Sequence, residues 1–413
     1  VKKYRLLGIT SGIGSMMVPA AFDPEMKKRV EVVGNQEWRE YYNCGVFEKN
    51  FNAPYWGDWS SVPNAAKENI DIVFGHPECG SFSVLNNDTS KRNDKNDITE
   101  FVQKIAEVKP KFFLMDDLYR SLGPYPAGWY AEMLPEYDIF LEPISNYHYG
   151  NIQKHRKRFF IVGARKELEY VFTPGENFDH EKTTWDIIGD LPEREDIPEI
   201  GHVHVNPDDD ARSFKADHRE RGSRYLTYQE LADKFLNVRA GKNLPYINLA
   251  GETKVRIGYV RLYEDKHAHV LYGGGAQGYP GAYHPRTGLP LTVRERARIQ
   301  GFPDEFSFDL SEDLDAAKRM LTEVKITGKA MPVQFCHYTM RQFVRWLDGD
   351  REAHDDESGS RWYGNIPEMI TKEKEWYCEN IGYTVQAAAC DKCWHAEDCP
   401  IRSRKTAEEY WEF

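Results

Sequence analysis

No stretch of this 413-residue chain is apolar for long enough to span a bilayer, and its first ten residues, VKKYRLLGIT, lack the layout of a secretory leader. A cytoplasmic protein with no membrane partner is therefore expected. The chain is also short of positive charge. Its 54 Lys and Arg against 66 Asp and Glu give a formal net charge of -12, which excludes a uniformly basic nucleic-acid coat. Any nucleic-acid contact is confined to a local patch such as the one holding Lys154, Arg156 and Arg158. Cysteine is sparse and uneven. Four of the seven, Cys378, Cys390, Cys393 and Cys399, fall in the last 36 residues, and in a reducing compartment such a cluster serves metal binding or catalysis rather than disulfides. What is present is globular: 40% hydrophobic and 29% charged residues rule out large-scale disorder, and the length calls for two domains or one large α/β domain with insertions.

The first 160 residues alternate short β-rich runs with helical stretches, the pattern of a parallel sheet covered by helices. Residues 4–9 form the first strand candidate and lead into TSGIGS, where Gly12, Ile13 and Gly14 make a loop that lets backbone approach a ligand. A second run, residues 30–34, precedes Glu37 and Trp38, a carboxylate suited to ribose hydroxyls beside a ring suited to a purine face. Asp58 and Trp59 follow Tyr55-Trp56-Gly57. A third run, residues 70–74, opens the segment FGHPECGSFS with Cys79, and a fourth, residues 112–115, precedes Asp116. Open parallel sheets bind ligands beyond the carboxyl ends of their strands, so Glu37, Asp58, Cys79 and Asp116 are expected around one crevice.

This series resembles the DNA cytosine-5 methyltransferase family. The most specific match is PLTVRERARIQGFPD, residues 290–304, which is similar to the family's late signature through Arg294, Glu295, Arg298, Gln300, Phe302 and Pro303. Further matches are FLMDDL from Phe113, Gln153 to Arg158 followed by FFIVG, TTWDIIGDLP from Thr183 and GKAMPV from Gly328, so the resemblance spans roughly residues 4 to 345. It implies an α/β, Rossmann-like S-adenosylmethionine-dependent fold. It further implies a cofactor site at Gly12, Ile13, Gly14, Glu37, Trp38, Asp58, Trp59, Lys329 and Ala330. Cys79 takes the place of the nucleophile, Asp116 that of the acid at cytosine N3, and Arg156 and Arg158 those of groups steadying the base and its phosphate. The chemistry needs these types: C5 of cytosine attacks a sulfonium only after a thiolate adds at C6, and the target base must first be flipped out of the duplex.

Several positions depart from the family pattern. Glu78 and Gly80 flank Cys79 where the family has Pro and Gln, Asp116-Asp117-Leu118 stands for Glu-Asn-Val, one residue is added between Gln153 and Arg156, and Leu289 replaces an Arg. Lys329 stands where the family has Asn near the reactive end of the cofactor. An ammonium facing a sulfonium is repulsive, but it would pair with a carboxylate on the transferred group. Two readings follow: carboxy-S-adenosylmethionine as donor, giving 5-carboxymethylcytosine, or S-adenosylmethionine with a lysine that reaches solvent or a phosphate.

The expected organisation is a catalytic domain in two parts, residues 1–192 and 289–347, around a small DNA-facing target-recognition region, residues 193–288, then a charged linker, 348–372, and a cysteine-rich extension, 373–413. The inserted region reads as short and loop-like, which implies low sequence specificity. The tail spacing C-x11-C-x2-C-x5-C offers four thiolates to one [4Fe-4S] cluster or one zinc ion. A monomeric DNA cytosine C5 alkyltransferase of a bacterial or phage-infected cell is expected. An RNA enzyme of the same fold and a catalytically silent nucleic-acid binder are the alternatives.

Overall fold

The computed structural model of the chain describes residues 3–38, 42–77, 97–118, 121, 125, 127–154, 156–172, 182–215, 223–247, 253–271, 281–310, 316–350, 375–378 and 383–386. At its centre lie β1 (Tyr4–Ile9), β2 (Val30–Gln36), β3 (Tyr55–Trp56), β4 (Ile72–Gly75), β5 (Phe112–Asp117), β6 (Tyr137–Ser145) and β7 (Lys157–Arg165), in the sheet order β3-β2-β1-β4-β5-β7-β6. The first five run parallel, and β7 is antiparallel to both β5 and β6. Order reverses at β1, which has β2 on one side and β4 on the other, so the switch point of this doubly wound sheet lies between β1 and β4.

The strands read as continuous apolar runs because both sheet faces are covered. Leu6, Ile72, Phe74, Phe112 and Leu114 pack on one face, and Leu7, Ile9, Val73, Phe113 and Met115 on the other. The first face takes the Val333–Leu347 helix, whose Phe343 stacks on Phe112 with ring centroids 4.3 Å apart. The second takes the Asp97–Val108 helix through Ile98, Phe101, Val102 and Ile105, spaced as one helical stripe.

Two strands run longer than their apolar runs suggest. β2 continues to Gln36, where β3 pairs with it, and β5 continues through Asp116 and Asp117 because β7 extends the ladder to Phe160 and Phe159. Asp116 is thus inside the strand end rather than past it. The 193–288 region also departs from a loop: its hairpin, Asp210–Lys215 with Tyr225–Thr227, leads into the helix Tyr228–Leu236, opened by a Thr227/Glu230 capping box. Leu226, Leu231, Phe235, Leu244 and Tyr283 give it a small core of its own. Among the described residues no helix is long and apolar enough to cross a membrane.

Candidate active site at the carboxyl edge of the sheet

Strand register aligns the polar residues. Trp56, Gln36, Ile9, Gly75 and Met115 pair in one row across β3, β2, β1, β4 and β5. The next residue on each strand is therefore Gly57, Glu37, Thr10, His76 and Asp116, side by side at parallel-strand spacing. Glu37 is buried and Trp38 exposed, while Asp58 is exposed one residue beyond Gly57. Trp59 donates its indole N–H to Glu107 at 2.8 Å and faces Lys67, which fixes its ring against the Asp97–Val108 helix.

The loop after β1 is held open. Gly12 has φ +54° and faces empty space where a Cβ would point, whereas Gly14, at φ +80°, lies so close to the rings of Phe51 and Phe47 that a Cβ would stand 2.5 and 2.9 Å from them. Ile13 between them is buried in the core. Asn35 of β2 donates to the Gly12 carbonyl at 3.0 Å, and the Ser11 hydroxyl donates to Phe74 at 2.8 Å. From the far end of the chain, the Met331 N–H donates to the Ser15 hydroxyl at 3.0 Å. That contact brings the turn after the Ala316–Lys329 helix to the glycine loop, with Ala330 buried and Lys329 exposed.

The densest electrostatics lie between β4 and β5. Asp116 is fully buried. Its Oδ1 lies 2.8 Å from His76 Nδ1, and its Oδ2 lies 3.3 Å from Arg158 Nε in an ion pair. Burial alone would raise the Asp116 pKa, but Arg158, His76 and more weakly Arg156 together hold it below the usual carboxylate range. Oδ2 accepts no hydrogen bond among the described residues although it is buried. Arg156 is engaged elsewhere: it donates to Leu271 at 2.7 Å and to Ala330 and Gly328 at 2.7 and 3.3 Å, fastening the turn that carries Lys329.

Cys79, with Glu78 and Gly80, lies outside the described residues; His76 and Pro77 lead from β4 toward it. The two cysteines described in full are poor nucleophiles. Burial with Glu48 pushes the Cys44 thiol up to about 11, and burial with the charge of Asp116 pushes the Cys336 thiol well above its usual value. Of the tail, Cys378 closes the strand Glu375–Cys378, and Cys390, Cys393 and Cys399 lie outside the described residues. Sequence reasoning missed His76. Its signal was its place directly after the β4 run, in the same row as Glu37 and Asp116.

The signature stretch forms the helix Val293–Gln300. Arg294 donates to the carbonyls of Ile200, Pro303 and Phe306, and Gln300 donates to Thr327 and accepts from Gln153. Gln300 thus ties the segment before β7 to the Ala316–Lys329 helix, and Arg294 ties the signature helix to Ile200 and to the turn that follows it.

A doubly wound parallel sheet with an open glycine loop at its switch point and a carboxylate after the second strand has the Rossmann-like fold of S-adenosylmethionine-dependent methyltransferases. An Escherichia coli prophage protein assigned as a DNA modification methyltransferase shares it, with a TM-score of 0.59 at 18% identity over 84% of this chain and all of that one. The chain belongs to the family described as C-5 cytosine-specific DNA methylase, which matches residues 4–345. Its relatives include the type II methyltransferase M.NgoPII of Neisseria gonorrhoeae, 27% identical over 65% of this chain and 75% of that protein. Another is M.MthTI of Methanothermobacter thermautotrophicus, 22% identical over 77% and 91%.

Proposed function

We propose that the chain transfers a one-carbon or carboxymethyl group to C5 of a flipped-out cytosine in DNA, with Cys79 as nucleophile. The observation that carries this reading is the buried carboxylate of Asp116, whose Oδ1 is paired with His76, three residues before Cys79 in the sequence, and whose Oδ2 accepts no hydrogen bond among the described residues. A cytosine presents N–H donors on the edge that would meet that oxygen, from its amino group and from N3 once protonated. The Cys79 thiolate adds at C6, which moves the C5=C6 pair through C4 onto N3, where a proton meets it; C5 of the resulting enamine would then attack the donor carbon as that carbon's bond to the sulfonium sulfur breaks and the thioether leaves. Asp116 is a carboxylate at neutral pH, so the proton comes through the His76 ring in hydrogen-bond reach of it. Loss of the C5 proton then expels the thiolate, and N3 gives back its proton. Arg158 keeps Asp116 charged and aimed, and Arg156 acts through the 328–330 turn it fastens.

The open face of Gly12, the buried Glu37 and the exposed Trp38 and Asp58 fit an S-adenosyl donor, with Ile13 and Ala330 packing the loop and turn beneath it. When bound, that donor supplies an electrophilic carbon on a sulfonium. Lys329 would pair with the carboxylate of carboxy-S-adenosylmethionine; exposed at a helix end, it reaches solvent when the donor is S-adenosylmethionine. The 193–288 region is the DNA reader in this proposal, and the four tail cysteines hold a [4Fe-4S] cluster or zinc.

Two experiments test the reading. DNA carrying 5-fluorocytosine should trap a covalent adduct that disappears in Cys79→Ala; an adduct surviving that change removes Cys79 from the mechanism. Mass spectrometry of nucleosides made with each donor should return 5-carboxymethylcytosine from the carboxylated one. Methylcytosine from S-adenosylmethionine with no product from the carboxylated donor, unchanged in Lys329→Asn, leaves the ordinary methyltransferase.

A further inference from the structure

Away from the sheet edge, His202, His204 and Glu295 bring three ligand-type atoms within 4.8 Å of one another. His202 and Glu295 are buried, His204 nearly so. Val203 between the histidines is 49% exposed, so the extended segment turns both imidazoles inward on one side. The Thr292 capping box aims Glu295 from the first turn of the Val293–Gln300 helix at the same point.

Each of the three is held from behind. His202 Nε2 lies 2.8 Å from the Pro192 carbonyl, which can only accept, so Nε2 carries the proton and the lone pair sits on Nδ1, 2.9 Å from the Thr292 hydroxyl. His204 Nδ1 lies 2.9 Å from the Asp196 carboxylate, which leaves the lone pair on Nε2. Glu295 Oε2 accepts the Thr292 N–H at 2.8 Å, and its Oε1 lies 3.6 Å from His284 Nε2. His284 Nδ1 accepts two backbone N–H groups, from Arg286 and Thr287, so its Nε2 carries a proton and supports Glu295 rather than ligating. A carbonyl or carboxylate behind each imidazole, fixing its tautomer, is the arrangement that metal-binding histidines use. Arg298, one turn along the helix from Glu295, donates instead to Asp304 and Asp190.

We propose that His202, His204 and Glu295 form a site for one zinc-type divalent cation that fastens the inserted region to the signature helix. Two imidazole nitrogens and a carboxylate suit zinc, with bonds of about 2.0–2.2 Å, and leave a fourth position for water. Those bonds draw the ligand atoms to about 3.4 Å apart, the tetrahedral spacing, which requires the Thr292 hydroxyl to yield His202 Nδ1. A cleft of about 960 Å³ with His204 and Thr292 in its wall gives the ion access.

The test uses the full chain with Cys378, Cys390, Cys393 and Cys399 changed to Ser, equilibrated with zinc alone and measured for metal content. One zinc per chain is expected. It should be lost in His204→Gln and bound about 10–100-fold more weakly in Asp196→Asn, whose carboxylate stands behind His204. Cobalt in its place should give visible bands without a thiolate charge-transfer band, and zinc should raise the melting temperature of the parent but not of His204→Gln. No stoichiometric zinc, or affinity unchanged in His204→Gln, overturns the proposal. If His204→Gln does not fold, unchanged affinity in Asp196→Asn overturns it equally.

Discussion

Asp116 and Glu295 are both almost wholly buried, and their surroundings push them in opposite directions. Asp116 faces Arg158 and His76 and is held below the usual carboxylate range. Glu295 is pushed by burial up to about 7, because its neighbours are a backbone amide, the Thr292 hydroxyl and an uncharged histidine, with Arg298 helping only weakly. Depth is the same; the partner's charge differs. Asp116 keeps a charge in the interior between His76 and Arg158, while Glu295 serves a helix cap and lies beside His202 and His204.

The sharpest way to break the contrast is to neutralise each in turn. Asp116→Asn should slow transfer by about 10²–10⁴-fold in single-turnover measurements, because it unsettles His76, the acid-base group that Asp116 holds. It should also cost about 3–5 kcal/mol in urea unfolding, because Arg158 is left buried without its counter-charge. His76→Ala, which removes the hydrogen bond but not the ion pair, should slow transfer with a smaller loss of stability, about 1–3 kcal/mol. The pH dependence has a definite sign. A carboxyl with a depressed folded pKa binds fewer protons than in the unfolded chain, so its stabilisation is present above the unfolded value near 3.8 and is lost as pH falls below it. Urea midpoints of the wild type and Asp116→Asn should therefore converge in acid and separate above about pH 4. Glu295→Gln keeps the capping contact through its side-chain carbonyl and leaves no charge stranded, so in the presence of chelator its stability should move by less than about 1 kcal/mol. The smallest effect belongs to Lys329→Asn, exposed at a helix end, which should stay within about 0.5 kcal/mol while changing the preference between donors.

Much of the sheet was legible because its strands are apolar runs ending at glycine or acid, and the placing of Glu37 and Asp116 at one edge follows from their order. The length of β5 was not, since it depends on β7, whose antiparallel return is a tertiary fact. Nor was the pairing of His76 with Asp116, which needs the register of β4 against β5. Arg156 illustrates another limit: a motif gives its position, but only packing reveals that its donors go to carbonyls of the 328–330 turn. The His202 and Thr292 pairing joins residues 90 apart, in segments with no shared pattern.

The hydrogen bond from Met331 to Ser15 spans 316 positions of sequence. A ribosome making this protein has long released the glycine loop before its partner is polymerised, so the nascent N-terminal half waits with that loop unfastened and one sheet face uncovered. Its apolar residues, Phe112 among them, stay exposed until the Val333–Leu347 helix arrives. Chains truncated before that helix should aggregate rather than act.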